Sequence, residues 1–358
     1  MKVLLVVEQL RRRVPGGVGT YARGLVQGLV AMGGTDPDVA LFASRPAPGG
    51  SATDPLAGLG LPLLTSPLPS AALVRLWNRG LGRVPAGRDL IHATSLAFPP
   101  RMGGRLSVMV HDLAWREVPD AFPPHGRRWH EEALGRAMRR ADLLLTPSPG
   151  VAEALSAEGR VPVEVVDEGC DHLPPPDVEG AARVLAGAGV DGPYILSVGT
   201  LEPRKNLPRL VEAYGLARPA LPGPWPLIVV GPRGWGGPLE AAEGVVPVGP
   251  VPASVLAGLY AGARLLAYVP LLEGWGLPAT EAMHAGVPVV ASPMPSTGGA
   301  ALEVDPNDPG SIAHGLVVAA GDDDRRRALV AAGATRAAGL RWESVARRHT
   351  ELWEKLCR

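Results

Sequence analysis

Lysine is scarce in this chain of 358 residues: Lys2, Lys205 and Lys355 are the only ones among 35 basic residues. Cysteine is scarcer still, and Cys170 and Cys357 alone supply neither a disulfide framework nor the spacing of a metal site. A reducing cytoplasm is therefore the expected compartment. Net charge is absent as well: 35 basic residues balance 35 acidic ones, so nothing global draws the chain to nucleic acid. Long apolar runs are missing. The opening run Val3–Val7 meets Glu8 at once, too short for a signal-peptide core, and no later stretch approaches the ~18 apolar residues of a membrane span. No Asp-X-Asp sits at a strand end and no His/Glu grouping forms a triad, so no metal is expected. Glycine (46) and proline (39) are so abundant that their number alone says little.

What is present is a repeated strand–helix grammar. Val3–Val7 is a β-branched and aliphatic run suited to a buried parallel strand. A polar, glycine-containing turn from Gln9 to Gly17 follows. Tyr21, Leu25, Leu29 and Met32 then give the face of a helix that Gly33-Gly34 ends. Val39–Ala43, Asp89–Ala93, Ser107–Val110 and Leu143–Thr146 read as further strands, and residues 45–70, rich in Pro, Gly, Ser and Ala, read as a long loop or variable insert. Arg128–Arg140 reads as a helix. Its arginines, with Arg127, make either a solvated basic face or a peripheral contact with anionic lipid on the inner face of the cell membrane. Pro174-Pro175-Pro176 cannot be helical and suits a stiff linker. A second series of strands follows at Tyr194–Val198, Leu227–Val230, Val245–Val248, Leu265–Tyr268 and Val287–Ala291, and Trp342–Leu356 closes the chain as a helix. Expected are an N-terminal domain (1–172), a linker (173–192), a C-terminal domain (193–340) and a last helix (341–358), the domains being α/β with parallel sheets.

Four stretches carry chemistry. In Glu273-Gly274-Trp275-Gly276-Leu277-Pro278-Ala279-Thr280-Glu281 a strand end, a glycine turn and a helix start converge. That is where a doubly wound sheet places its ligand, and free N–H groups at a helix start attract phosphate. A carboxylate there can accept from both hydroxyls of a ribose or sugar diol. Glu281 is expected in the first helical turn, where favouring the helix dipole is the plainer alternative. Gly199-Thr200-Leu201-Glu202-Pro203-Arg204-Lys205-Asn206 follows another strand, and Arg204 and Lys205 there can neutralise a diphosphate. In Pro15-Gly16-Gly17-Val18-Gly19-Thr20-Tyr21-Ala22, Gly17, Gly19 and Ala22 match a dinucleotide fingerprint formally, with Asp38 downstream, but they lie well past the strand. The other readings are a glycine loop whose N–H groups meet a pyrophosphate or acceptor, and a plain helix start. His92 and His111 each follow a strand and can line a cleft; His111 could bond a sugar hydroxyl, and a structural role is the alternative for both.

Together these stretches resemble the retaining glycosyltransferases of family GT4, which have two Rossmann-like domains facing across an interdomain cleft, the GT-B fold. The resemblance covers nearly the whole chain and is strongest in Gly199–Asn206 and Pro250–Ala291. The spacing Glu273-x7-Glu281 matches the family signature, and Gly16-Gly17, His111, Ser148 and the closing helix with Trp342 fall where the family places them. The resemblance implies that Glu281 binds the nucleotide ribose and that Glu273, with the backbone of Gly274, Trp275, Gly276 and Leu277, holds the donor sugar and phosphates. Arg204, Lys205 and Thr200 would line the diphosphate, Gly16 and Gly17 would approach it, His111 would touch the sugar and Val251 would meet the base. His111, Glu273, Arg204 and Lys205 would be catalytic. It further implies a last helix crossing back to the first domain, no metal and no cofactor beyond the GDP- or UDP-sugar co-substrate. Transfer would proceed with retention, the leaving phosphate taking the acceptor's proton. Two positions depart from the family: Thr200 stands where many members have Arg, and Pro293–Gly299 lacks a Glu that many carry.

The function expected is transfer of a mannose- or glucose-type hexose to a hydroxyl of a glycan, glycolipid intermediate or natural product. A sugar-nucleotide epimerase or phosphorylase, a catalytically silent nucleotide-sugar-binding protein and a nicotinamide dehydrogenase are the alternatives. No lysine is marked for pyridoxal phosphate, because Lys205 belongs to the phosphate-facing stretch and the others lie near the chain ends.

Overall fold

A computed structural model describes residues 1–33, 36–46, 54–159, 161–237 and 239–358. It divides into two compact units, one of Met1–Trp115, Pro123–His172 and Arg341–Arg358, the other of Arg116–Phe122 and Leu173–Leu340. Gly34, expected at a helix end, and residues 47–53 of the expected long loop lie outside the described residues.

The first unit is built on β1 (Lys2–Val6), β2 (Asp38–Arg45), β3 (Leu63–Pro69), β4 (Leu90–Ala93), β5 (Arg105–Met109), β6 (Leu143–Thr146) and β7 (Val163–Val165). Among the described residues these form one parallel sheet in the order β3-β2-β1-β4-β5-β6-β7. Val3, Leu4, Leu5 and Val6 are buried on both faces, which is why β1 reads as an unbroken apolar run. The chain winds outward from β1 to β2 and β3, then returns to lay β4 on the other side of β1. Helices α1 (Gly16–Met32), α2 (Ser70–Asn78), α3 (Ala114–Glu117), α4 (Pro124–Arg140) and α5 (Pro149–Glu158) connect the strands. Ser148 caps α5 by accepting from the Val151 amide, with Pro149 at the first helical position.

The second unit contains α6 (Val178–Gly187), β8 (Ile195–Val198), α7 (Leu207–Ala217), β9 (Leu227–Val230), β10 (Val245–Gly249), α8 (Ala253–Gly262), β11 (Leu265–Tyr268), α9 (Leu277–His284), β12 (Val289–Ala291), β13 (Leu302–Glu303), α10 (Pro309–Gly321) and α11 (Asp323–Ala338). Its parallel sheet runs β10-β9-β8-β11-β12-β13 among the described residues. The sheet core of Ile195, Leu227, Val229, Leu265 and Val290 packs against Leu210, Tyr214, Ile312 and Leu316 from α7 and α10. The strand order reverses between β8 and β11, where Ile195 pairs with Leu265.

The last helix, α12 (Trp342–Cys357), belongs to the first unit and packs along α1. A Cβ on Gly24 would overlap the Trp342 indole and one on Gly28 would overlap the Trp342 carbonyl, so the two glycines admit the helix at close range. Beneath that contact the Tyr21 hydroxyl bonds His349 Nε2 at 2.7 Å, and His92 Nε2 lies 3.3 Å from the same hydroxyl.

Two expectations are corrected here. Residues 45–70 are not one loop, since β2 continues to Arg45 and β3 occupies Leu63–Pro69. Pro67 and Pro69 concealed β3; they are tolerated because it lies at the edge of the sheet. Nor are residues 173–192 wholly linker: beyond the prolines Asp177 caps α6, accepting from the Gly180 amide at 2.7 Å, and α6 packs on α8.

Candidate functional site

A doubly wound sheet opens a crevice outside the carboxyl ends of its strands at the point where strand order reverses, because the loops on either side lead to helices on opposite faces. In the second unit that point lies between β8 and β11. The loop leaving β8 is Gly199–Asn206 and the loop leaving β11 is Val269–Gly276, so the two strongest sequence motifs meet there.

Glu273 is the centre of the meeting. Its Oε2 lies 2.8 Å from Arg204 Nη1, and its Oε1 pairs with Lys205 Nζ and accepts a 2.8 Å hydrogen bond from the Tyr268 hydroxyl. Lys205 also donates to that hydroxyl at 2.8 Å and lies over the Tyr268 ring, 5.3 Å from its centroid. Arg204 donates to Glu202 Oε1 at 2.8 Å and to the Leu272 carbonyl at 3.0 Å. Burial alone would raise the Glu273 pKa, but Arg204 and Lys205 outweigh it and hold the carboxyl at about 2. At Glu202 burial prevails over the same cations and its pKa is raised. Two carboxylates and two cations thus form a charge-balanced cluster, with Arg204 shared between Glu202 and Glu273 and Lys205 between Glu273 and Tyr268.

Glu281 is the fifth residue of α9, not in its first turn, so the dipole reading loses its basis. It is 7% exposed and accepts a 2.7 Å hydrogen bond from the Tyr260 hydroxyl of α8. Gly276 caps α9 with φ 103°, and a Cβ there would overlap Met294 Sδ, so the position requires glycine twice over. The Ser296 hydroxyl donates to the Gly276 carbonyl at 3.3 Å, tying the loop after β12 to the glycine turn. Trp275 and Leu277 are buried beside it. Thr200 is half-buried at the start of the β8 loop, and half-buried Val251 lies between β10 and α8.

The first unit treats its expected residues differently. Gly17 and Gly19 lie inside α1, which starts at Gly16 after a 3-10 turn at Glu8–Arg11. The dinucleotide fingerprint fails, because it needs its glycines in the strand-to-helix turn and Ala22 is buried in the helix. Gly16 and Gly17 are exposed at the start of α1, and Gly16 has φ 62°. His92 is fully buried: its Nδ1 lies 2.8 Å from the Ser107 hydroxyl, and its ring packs 5.2 Å from that of Trp353. It lines no cleft. His111 Nδ1 lies 3.2 Å from Glu168 and its Nε2 lies 2.9 Å from the Thr94 carbonyl. Burial opposes its charge, but both partners accept, and they raise its pKa. Of the α4 arginines, Arg136 donates to Asn78 at 2.8 Å and is half-buried, whereas Arg128, Arg139 and Arg140 are exposed.

Sequence reasoning missed Glu202, Tyr260, Tyr268 and Glu168. Glu202 stood inside the quoted motif, and Tyr268 is the last residue of β11; Tyr260 reaches Glu281 from another helix, which no local pattern reveals.

Comparison with known proteins agrees with this architecture. Residues 192–326 match the family model described as Glycosyl transferases group 1, and residues 15–172 match Glycosyltransferase Family 4. The O-antigen chain mannosyltransferase B of Escherichia coli is 31% identical over 276 residues, which cover 71% of this chain and 71% of that one. The chain belongs to glycosyltransferase family 4. This glycosyltransferase also has the GT-B fold. Sucrose-phosphate synthase from Thermosynechococcus elongatus matches with a TM-score of 0.73 and 20% identity over 99% of each chain. Anabaena HepE in complex with UDP-glucose matches with a TM-score of 0.71 and 19% identity over 99% of this chain and 100% of that one. Among the described residues no helix is long and apolar enough to cross a membrane.

Proposed function

We propose that this glycosyltransferase moves mannose, with retention and without a metal, from a GDP- or UDP-linked donor to a hydroxyl of a glycan or glycolipid intermediate. The observation that carries the reading is the Arg204–Lys205–Glu273 cluster at the strand reversal of the second unit, beside the Gly276–Leu277 start of α9. A diphosphate brings negative charge to a place where two cations lie beside the glycine turn that opens α9. Mannose is favoured by the Escherichia coli relative, whose name is that of a mannosyltransferase. A uridine donor is the competing case, since a solved neighbour holds UDP-glucose.

In this reading Glu281, oriented by Tyr260, accepts from the ribose hydroxyls, Glu273 accepts from a sugar hydroxyl, and Lys205 with Arg204 holds the phosphates. As the bond between the anomeric carbon and the phosphate oxygen breaks, negative charge grows on the diphosphate. Cations already fixed by Glu273, Glu202 and Tyr268 stabilise that charge with little reorganisation. The departing phosphate oxygen takes the acceptor hydroxyl's proton, and the acceptor oxygen bonds the anomeric carbon on the same face. His111, Gly16 and Gly17 are assigned to the sugar and phosphate side, Thr200 to the phosphates and Val251 to the base. The exposed α4 arginines give a membrane-bound acceptor a peripheral docking face, and the cytoplasm is the proposed compartment.

The test is a thermal-shift screen with UDP, GDP and NAD, followed by transfer from GDP-mannose and UDP-glucose in the presence of EDTA, with the product anomer read by NMR. Stabilisation by one nucleoside diphosphate and an axial product linkage from an axial donor support the reading. Stabilisation by NAD alone, dependence on added metal, or an inverted product would each overturn the corresponding part.

A further inference from the structure

Arg336 lies on α11, 55 residues beyond Glu281 and outside every motif, yet its guanidinium reaches the two loops that frame the start of α9. Its Nε donates to the Ser296 carbonyl at 2.8 Å and its Nη2 to the Pro295 carbonyl at 3.4 Å. The same guanidinium lies over the Trp275 ring, 5.6 Å from the centroid. Trp275 is 4% exposed and its indole N–H has no hydrogen-bond acceptor among the described residues, so packing and this cation fix the ring. Gly298 has φ 52°, and a Cβ there would come within 3.0 Å of Arg336 Nε; the loop is shaped to admit the guanidinium. From the other side Ser296 holds the Gly276 carbonyl. One planar group therefore braces both the turn Gly274–Gly276 and the loop Pro295–Gly298.

We infer that Arg336 is a positioning residue for the donor's diphosphate: it fixes the Trp275 turn and the Pro295–Gly298 loop, so that the Gly274–Leu277 turn leading into α9 is held in one shape for phosphate oxygens. Arg336 touches no reacting atom in this assignment. A planar fork that donates along one edge while its face covers an aromatic ring cannot be reproduced by an ammonium group. The inference rests on the nucleotide-sugar reading of this site.

The experiment uses the whole chain and compares wild type with Arg336→Ala and Arg336→Lys. Calorimetry measures the affinity for UDP and GDP, ligand-observed NMR that for uridine and guanosine, and initial rates separate KM from kcat. Arg336→Ala is expected to weaken diphosphate binding at least tenfold while nucleoside binding stays within twofold of wild type. Arg336→Lys should lie nearer Ala than wild type. Should the alanine variant fail to fold, the lysine variant carries the same comparison. Equal loss for nucleoside and diphosphate, or diphosphate affinity unchanged in both arginine variants, overturns the inference. Wild type binding neither nucleotide would instead overturn the donor reading.

Discussion

Replacing Glu273 by Gln removes one charge and keeps the side chain's shape, which isolates the electrostatics of the cluster. In the wild type Arg204 and Lys205 outweigh burial and take the carboxyl from 4.5 to about 2. At about 1.4 kcal/mol for each pH unit, that places about 3 kcal/mol of stability in the charged form at neutral pH. The figure agrees with the roughly 3–5 kcal/mol lost when one member of a buried ion pair is removed. Because the folded pKa lies below the unfolded one, the contribution is complete above pH 4.5 and disappears as pH falls through about 2. Urea denaturation of wild type and Glu273→Gln should therefore differ by about 3 kcal/mol at pH 7 and by progressively less below pH 4.5. A difference under ~1 kcal/mol at pH 7, or one that does not narrow in acid, would refute the claim that this carboxylate is clamped by the two cations.

The buried histidine pair gives an acid signature of opposite origin. Burial holds His349 down to about 4 and His92 well below 6.5, so the unfolded chain takes up protons first. Stability is complete above pH 6.5 and falls toward pH 4, by about 2 kcal/mol at pH 5 from His349 alone; a urea midpoint that is level from pH 7.5 to 5 contradicts this. Tyr260→Phe removes the 2.7 Å hydrogen bond to Glu281 and should cost about 1.5–3 kcal/mol of stability while weakening nucleoside binding; nucleoside titration checks it. Gly24→Ala places a methyl group in the Trp342 ring and should cost about 1–3 kcal/mol, read as a lower thermal midpoint. Lys205→Ala should cut kcat at least a hundredfold in a donor-saturated assay, and wild-type turnover would remove it from the mechanism.

The parallel-sheet architecture was legible because buried parallel strands are short apolar runs: Leu143–Thr146, Leu227–Val230 and Leu265–Tyr268 could be read to the residue. β3 was hidden by Pro67 and Pro69, which signal a loop everywhere except at a sheet edge. β13 is two residues long, too short for any periodicity. At the site, both charged stretches were legible as strand-end loops, but the pairing of Glu273 with Arg204 and Lys205 was not, because it depends on β8 and β11 being neighbours in the sheet. Glu281 was found by spacing, but its partner Tyr260 was not, because that pair is made by two helices packing and leaves no trace along the chain. His92 and His111 looked alike in sequence; only burial separates the first, enclosed by Ser107 and Trp353, from the second, which bonds Glu168.

The most direct test of the central claim is a crystal structure with GDP or UDP bound. The account predicts the diphosphate within hydrogen-bond reach of Lys205 Nζ and against the Gly274–Leu277 turn, and both ribose hydroxyls on the Glu281 carboxylate. A nucleotide seated away from the β8–β11 reversal, with Lys205 and Glu281 untouched, would contradict it.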